Sequence, residues 1–221
     1  MKFFACILIL FSLHQAKVVS QDKPEKFELV KEDGLIAIYE RWIIFPGSNP
    51  PQEAREVKGE FLVKASMYKI LSLIKDEKKI KIWQTHVADF KIYPQPDTSF
   101  WLEYSYHDIP WPVSDQDHFL EYHLSEKSAG KELFLSFKSR LDLVLAPRQK
   151  SVTRMILSGS WRLEQLAPNK VKVTYRILSM PVGIPRLFTD PVIRSNLMST
   201  IKALTKLAEE PYAPATALRP H

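Results

Sequence analysis

Hydrophobic and polar residues alternate along much of this chain. Such alternation is typical of a half-buried antiparallel strand, because successive side chains of a strand point to opposite faces of the sheet. The pattern therefore predicts a large antiparallel sheet with one face toward water. The alternating segments are residues 57–64, 99–106, 133–145, 155–163 and 171–177.

In each predicted strand the more apolar of the two alternating sets is expected to face the core. Residues 133–145, for example, carry leucine or phenylalanine at every second position, interrupted only by Ser139. Arg140 and Asp142 fall on the other set, so we expect them on the solvent side. The positions expected on the inner face include Leu102, Tyr104, Tyr106, Phe137, Ser139, Leu141, Met155, Leu157, Tyr175 and Ile177.

Two segments have helical spacing instead. Residues 66–83 begin with a serine that can cap a first turn and predict one or two short helices, which end at Trp83. From Asp190 onward the chain has an N-cap residue, a proline at the first helical position and an apolar stripe that includes Leu197 and Ile201. We expect an α+β fold in which a curved antiparallel sheet wraps a long C-terminal helix.

The two ends of the chain differ from the middle. A lysine followed by an unbroken apolar run and then small residues predicts a signal peptide over residues 1–20, too short to span a bilayer. Residues 21–209 then form one domain, and the proline-rich residues 210–221 form a flexible tail. We expect an exported protein, either periplasmic or secreted, and the features of the signal resemble those of a Gram-negative bacterium.

Charge and cysteine content limit the partners and the chemistry that are possible for this protein. The formal charge of +6 falls to +4 when Lys2 and Lys17 leave with the signal peptide, and the other cations are scattered along the chain. This distribution argues against nucleic acid as a partner and is compatible with transient contact with anionic membranes. The single cysteine, Cys6, also leaves, which excludes disulfides and thiolate ligands. We expect a monomer.

Three motifs in order resemble those of the START-domain family. They are PWPVSDQD at 110–117, LSGSWRLEQL at 157–166 and KVTYRI at 172–177, within a resemblance that covers residues 26–209. The resemblance implies a helix-grip fold, with an apolar tunnel between the sheet and the last helix for a sterol, phospholipid, ceramide or similar ligand. Within the first motif, Pro110 and Pro112 favour a stiff turn over a catalytic loop.

The expected ligand site is this tunnel under the C-terminal helix, and the expected function is non-catalytic binding or transfer of a lipid or other hydrophobic molecule. Trp83, Leu197 and Ile201 join the inner strand positions as wall residues, and Trp111 lies at the entrance. The hydroxyls of Ser139, Tyr104, Tyr106 and Tyr175 either orient the polar end of the ligand or belong to ordinary core residues.

We predict no catalytic residue, metal site or cofactor. Asp117 and His118 would face opposite sides of one strand, and no serine has a nucleophile elbow. Two alternatives stay open. An aromatase- or cyclase-like enzyme would need an acid or base that faces the cavity. An interaction module would have its cavity filled by tryptophan side chains, and a volume well below about 300 Å³ would exclude a lipid.

Overall fold

Ten strands and three helices make up the part of the chain that the computed structural model describes, which is residues 26–111, 113–180 and 186–211. The predicted signal peptide and nearly all of the predicted tail lie outside the described residues. The strands are β1 (Glu28–Asp33), β2 (Ile36–Ile44), β3 (Glu53–Val63), β4 (Val87–Pro94), β5 (Phe100–His107), β6 (Gln116–Lys127), β7 (Glu132–Ser139), β8 (Thr153–Arg154), β9 (Leu157–Ala167) and β10 (Lys170–Ser179). The helices are α1 (Met67–Ile74), α2 (Ile80–Trp83) and α3 (Arg186–Glu209).

The strands form one antiparallel sheet in the order β1-β2-β3-β10-β9-β7-β6-β5-β4, and β8 adds a short parallel pairing to the start of β6. Most chain neighbours pair with each other, but β7 pairs with β9 across residues 140–156, and β3 pairs with β10 from the far end of the sequence. Helix α3 packs across strands β2 and β3 and against the two short helices. The predicted fold class, a curved antiparallel sheet that wraps a long C-terminal helix, is confirmed.

Helix α1 begins where the sequence predicted. The backbone of Ser66 is extended, and its hydroxyl oxygen accepts a hydrogen bond from the amide of Lys69 at 3.2 Å. This bond satisfies one of the amide groups that the first turn of a helix leaves without a partner. The apolar face of α1, which includes Ile70 and Leu73, is buried in the main core.

Helix α3 begins earlier than predicted. It starts at Arg186 rather than after Asp190, so Pro191 lies inside the helix. Asp190 therefore lies inside the helix rather than at its N-cap, and its carboxylate binds the guanidinium group of Arg55 on β3 at 2.6 Å. Further along, Ile201 is fully buried and sits over Gly59, where a Cβ atom would lie only 2.5 Å from the Cδ1 of Ile201. Glycine at this position lets the helix approach β3 closely without displacing the tip of the Ile201 side chain.

The predicted strand 133–145 ends six residues early, at Ser139. The carboxylate of Asp142 accepts hydrogen bonds from the amides of Val144 and Leu145 at 3.0 and 2.9 Å, and such a turn stops the strand. Residues 140–152 then fold as a loop over the outer face of the sheet. There Ala146 packs with Leu102, Tyr104 and Phe119 in a second, smaller apolar cluster. Strands β5 and β6 are consequently buried on both faces.

Candidate functional site

A cavity of about 240 Å³ lies between the inner face of the sheet and the helices. Strands β3, β5, β6, β7, β9 and β10 supply most of its wall, and the three helices supply the rest. Most of the lining is apolar or aromatic, with polar groups concentrated on β5 and β6. The lining residues are Arg55, Val57, Ile74, Ile80, Trp83, Gln84, Glu103, His107, Gln116, His118, Leu120, Tyr122, Phe137, Met155, Leu157, Trp161, Tyr175, Ile177, Ser179 and Ile193.

Aromatic rings stiffen the apolar part of the wall. The rings of Trp161 and Tyr175, which face each other across β9 and β10, stack with their centroids 3.6 Å apart. Trp83 meets Trp161 edge to face at 6.3 Å. Phe137 lies over Gly159, where an added Cβ would stand 2.4 Å from the Cζ of the ring. A wall of mutually packed rings is a rigid, apolar surface for a guest.

The polar part of the wall comes from a single pair of strands. Glu103, Ser105 and His107 point inward from β5, and His118 lies opposite Ser105 on β6. The Nε2 of His118 is 3.4 Å from the Oε1 of Glu103, and the hydroxyl of Tyr122 donates to the same oxygen at 3.5 Å. The Nε2 of His107 lies 3.1 Å from the hydroxyl of Ser105. These contacts form two groups, Glu103 with His118 and Tyr122, and Ser105 with His107. The ring centroids of His107 and His118 lie 5.1 Å apart, so the five side chains make one polar cluster on the inner face of β5 and β6.

Burial sets the charge of this cluster. Desolvation raises the pKa of Glu103 to about 8, against the opposing effect of the hydrogen bond from Tyr122. Desolvation also lowers the pKa of His118 to about 4 and the pKa of His107 to about 3. A charged group loses its hydration inside the protein, so each of these side chains takes its neutral form near pH 7. The cluster can thus donate and accept hydrogen bonds without carrying charge.

One polar atom of the cluster, the buried Nδ1 of His118, has no hydrogen-bond partner among the described residues. Buried polar atoms are nearly always paired, and an unpaired one costs about 1–3 kcal/mol. His118 lines the cavity, but its Nδ1 has almost no accessible surface, so the ring must turn slightly before a bound molecule or water can pair with this nitrogen.

A charged network closes the cavity on the side of helix α3. The guanidinium group of Arg55, which lines the cavity, lies 2.6 Å from Asp190 and 3.6 Å from Glu40. Arg194, one helical turn after Asp190, binds both carboxylate oxygens of Glu40 at 3.0 and 2.7 Å. Ile193, next to Arg194, is the lining residue from this helix. The network therefore fixes the position of one wall of the cavity.

The cavity brings together part of the predicted ligand-binding set. The predicted residues on its wall are Trp83, Phe137, Met155, Leu157, Tyr175 and Ile177. Their contact with a ligand stays a prediction. Leu197 and Ile201 are buried in the core, where helix α3 meets the sheet, and do not reach the wall. Ser139 also lies off the wall, but its hydroxyl accepts from the amide of Leu157 at 2.8 Å and so holds a wall segment in place.

Five predicted site residues lie elsewhere, and the predicted inner face of β5 was wrong. Leu102, Tyr104 and Tyr106 point to the outer face, against the loop 140–152. The hydroxyl groups of Tyr104 and Tyr106 bind partners on the outer face, as in the hydrogen bond from Tyr106 to Asp115 at 2.5 Å. Trp111 is 90% exposed in the turn after β5, and Leu141 is 71% exposed in the loop after β7. Alternation misled at β5 because both of its faces are covered, so that the more apolar face need not be the inner one.

The sequence reading missed the polar cluster altogether. The prediction of no catalytic or metal site assigned no role to the histidines, whereas His107 and His118 line the cavity. A usable signal was Trp101, a large apolar residue on the supposedly solvent-facing set of β5, which is 1% exposed. A strand with aromatic residues on both sets is buried on both faces, and then Glu103 must be buried whichever face is inner.

The tryptophans do not fill the cavity. Trp83 and Trp161 form parts of its wall, Trp101 is buried beside Tyr122, and Trp111 is exposed. Trp42 lies beside Arg55 outside the lining. No group of three His, Cys, Asp or Glu side chains within the described ranges is placed to hold a metal ion. No helix in those ranges is long and apolar enough to cross a membrane.

A scan against protein-family models gives no match for this sequence, and a search of curated proteins gives none either. Solved structures do match. The STAR-related lipid transfer protein fragment from Xanthomonas axonopodis aligns with a TM-score of 0.69 at 23% identity, over 84% of this chain and 100% of that one. Human StAR-related lipid transfer protein 5 aligns with a TM-score of 0.70 at 15% identity, over 82% and 86%. The chain therefore has a START-like, helix-grip fold.

Proposed function

We propose that this protein binds a hydrophobic small molecule or lipid reversibly and without chemistry, in the cavity between the sheet and helix α3. The observation that carries the proposal is the cavity itself, a space of about 240 Å³ with a mainly apolar and aromatic wall. This volume is somewhat below the value of about 300 Å³ at which small-molecule sites begin, so it favours a small guest. Apolar ligand surface that leaves water contributes about 2.5 kcal/mol per 100 Å² before the cost of association. The lipid transfer named for the two structural neighbours supports the proposal.

Native mass spectrometry of protein purified from its source, followed by organic extraction, tests the proposal. We expect a non-covalent adduct that extraction removes. The variant Ile177→Trp places a bulky side chain on the cavity wall and should abolish the adduct. Ile156→Trp makes the same change at a position that is 45% exposed and outside the lining, and should keep it. The proposal would be refuted if the purified protein carried no apolar ligand and bound none that was added.

The second candidate is an enzyme that uses the same cavity, and the polar cluster favours it. An acid with a pKa near neutrality beside a neutral imidazole is an arrangement that general acid–base catalysis uses, and Glu103 and His118 provide it. A catalyst would convert the bound molecule with time and lose this conversion in Glu103→Gln, whereas a carrier would release it unchanged. Mass analysis of the extracted molecule after incubation distinguishes the two.

We further propose that the protein is exported as a monomer and contacts membranes transiently. The signal-peptide features of residues 1–20 support export. Exposed apolar side chains on two loops support membrane contact, namely Trp111 after β5 and Val144 after β7, each 90% exposed. Arg148 and Lys150 are exposed on the same loop as Val144 and would favour an anionic surface.

A further inference from the structure

We infer that the cavity takes a compact, uncharged molecule of roughly ten non-hydrogen atoms that carries one hydroxyl-type group. This inference rests on the proposed function and adds the class of ligand to it. It stands on three features of the same cavity: its volume, the hydrogen-bonding groups on β5 and β6, and the neutralisation of Arg55, the cationic residue among its described lining.

Volume limits the size of the guest. An engineered protein cavity of about 150 Å³ binds benzene, which corresponds to roughly 25 Å³ for each non-hydrogen atom. At the same packing, the cavity of about 240 Å³ holds roughly ten such atoms. A sterol has nearly thirty and would need on the order of 700 Å³. A sterol or a two-chain phospholipid therefore does not fit unless the walls move.

The hydrogen-bonding groups on the cavity wall determine which functional group a bound molecule should have. Glu103 and His118 share one contact, between Oε1 and Nε2, and the Nδ1 of His118 is unused within the described part of the chain. If Nε2 carries the proton, Nδ1 is an acceptor, and if Glu103 donates to Nε2, Nδ1 carries the proton and is a donor. A hydroxyl group can complement either state, because it both donates and accepts. A pure hydrocarbon would leave the nitrogen unsatisfied.

Charge excludes ionic head groups. Glu103, His107 and His118 are buried side chains whose neutral forms are favoured by desolvation, so none of them offers a counter-charge near pH 7. Arg55 is cationic, but Asp190 and Glu40 already lie 2.6 and 3.6 Å from its guanidinium group. A carboxylate or phosphate group would lose its hydration in this cavity and gain no free cation among the described lining residues, and an ammonium group would first have to ionise Glu103.

Four probes test size, hydroxyl and charge separately. Menthol has eleven non-hydrogen atoms, p-menthane lacks its hydroxyl, menthylamine replaces the hydroxyl with an ammonium group, and cholesterol is a large alcohol. Binding is followed at pH 7 by the fluorescence of the protein, since Trp83 and Trp161 lie in the cavity wall, and by calorimetry. We expect menthol to bind at least tenfold more tightly than p-menthane or menthylamine, and cholesterol not to bind.

Two variants show whether the polar cluster is responsible. Glu103→Leu and His118→Phe should each weaken menthol at least fivefold and leave p-menthane within twofold of the unmodified protein. Tyr104→Phe removes a hydroxyl from the outer face of the same strand and should change neither affinity. If the first two variants fold poorly, the comparison of menthol with p-menthane on the unmodified protein still decides the point.

The outcomes separate this inference from the proposed function. Cholesterol or long-chain lipid that binds while menthol does not would overturn the inference and leave the proposed function intact. Equal affinities for menthol, p-menthane and menthylamine would also overturn it, since the polar cluster would then select nothing. If none of the apolar molecules binds, and purified protein carries no adduct, the proposed function itself fails.

Discussion

The carboxyl group of Glu103 lies 3.4 Å from the Nε2 of His118, and both side chains are about 5% exposed. One residue comes from β5 and the other from β6, and each sits among aromatic side chains on the inner face of the sheet. Two ionisable groups that are both driven to their neutral forms couple the stability of the fold to pH in opposite directions, because one is an acid and the other a base.

Stability should therefore fall as the pH rises above about 6.5. Burial raises the pKa of Glu103 from 4.5 to about 8, so the folded protein keeps a proton that the unfolded chain loses. The free energy of unfolding falls wherever the folded state binds more protons, by about 1.4 kcal/mol per pH unit for one proton. Urea unfolding should give a free energy of unfolding roughly 1 kcal/mol lower at pH 8 than at pH 6.5, because His107 and His118 offset part of the loss from Glu103 in this range. Glu103→Gln should remove this difference, and a decline that persists in the variant would contradict the assignment.

Below about pH 6.5 the histidines should act in the other direction. Burial lowers the pKa of His118 to about 4 and of His107 to about 3, so the unfolded chain takes up protons before the folded protein does. As the pH falls from about 6.5 to 4.5, the two histidines lower the free energy of unfolding by more than Glu103 raises it. Stability should therefore decrease with acidification. His118→Phe should flatten the acid side of the unfolding profile, while a variant at the exposed His123 should not.

The network at helix α3 should contribute measurably to stability. Arg194→Met removes the two hydrogen bonds to the buried Glu40, which would keep only the more distant Arg55 at 3.6 Å. Since Arg194 is partly exposed, we expect a loss of about 1–2 kcal/mol in urea unfolding. Lys202→Met on the same helix breaks a pair with Asp33 that is exposed on both sides and should cost less than about 0.5 kcal/mol. Equal losses for the two variants would show that burial of the network has no energetic effect.

Two glycines should respond differently to alanine. In Gly159→Ala the new Cβ would meet the backbone oxygen of Arg176 at 2.1 Å and the ring of Phe137 at 2.4 Å. In Gly59→Ala it would meet the tip of the Ile201 side chain, which can rotate. We expect losses of about 3 kcal/mol or more and about 1–2 kcal/mol, respectively, by urea unfolding. The same order should appear in ligand binding, since Phe137 lines the cavity.

Exposed loop residues should control membrane contact if the proposed contact exists. Trp111→Ser and Val144→Ser each remove a 90% exposed apolar side chain. Together they should lower binding to phosphatidylglycerol-containing vesicles at least fivefold in a sedimentation assay, because apolar side chains supply part of the interfacial affinity. Leu35→Ser, at a 71% exposed position in the turn before β2, should have no effect. If the combined Trp111→Ser and Val144→Ser variant binds vesicles as well as the Leu35→Ser variant does, these loops are not the contact site.

The sequence by itself determined half of the strands, the helices and the fold that they build. Alternation with a period of two identified five of the ten described strands, Ser66 identified the start of α1, and the apolar stripe with Leu197 and Ile201 identified the last helix as one that packs on the sheet. These features depend on local backbone geometry and on one-sided burial, and both produce a periodic pattern of apolar residues in the sequence. The motifs in their order were enough to predict the helix-grip fold.

Only the tertiary structure decided which face of β5 lines the cavity. The choice depended on the loop 140–152, which folds back over Leu102 and Tyr104 and buries the outer face, a contact between segments some forty residues apart. Once both faces are covered, hydrophobicity no longer distinguishes them. Glu103, His107 and His118 could then be placed inside, because burial and the protonation of a side chain depend on all of its neighbours in space rather than on its neighbours in sequence.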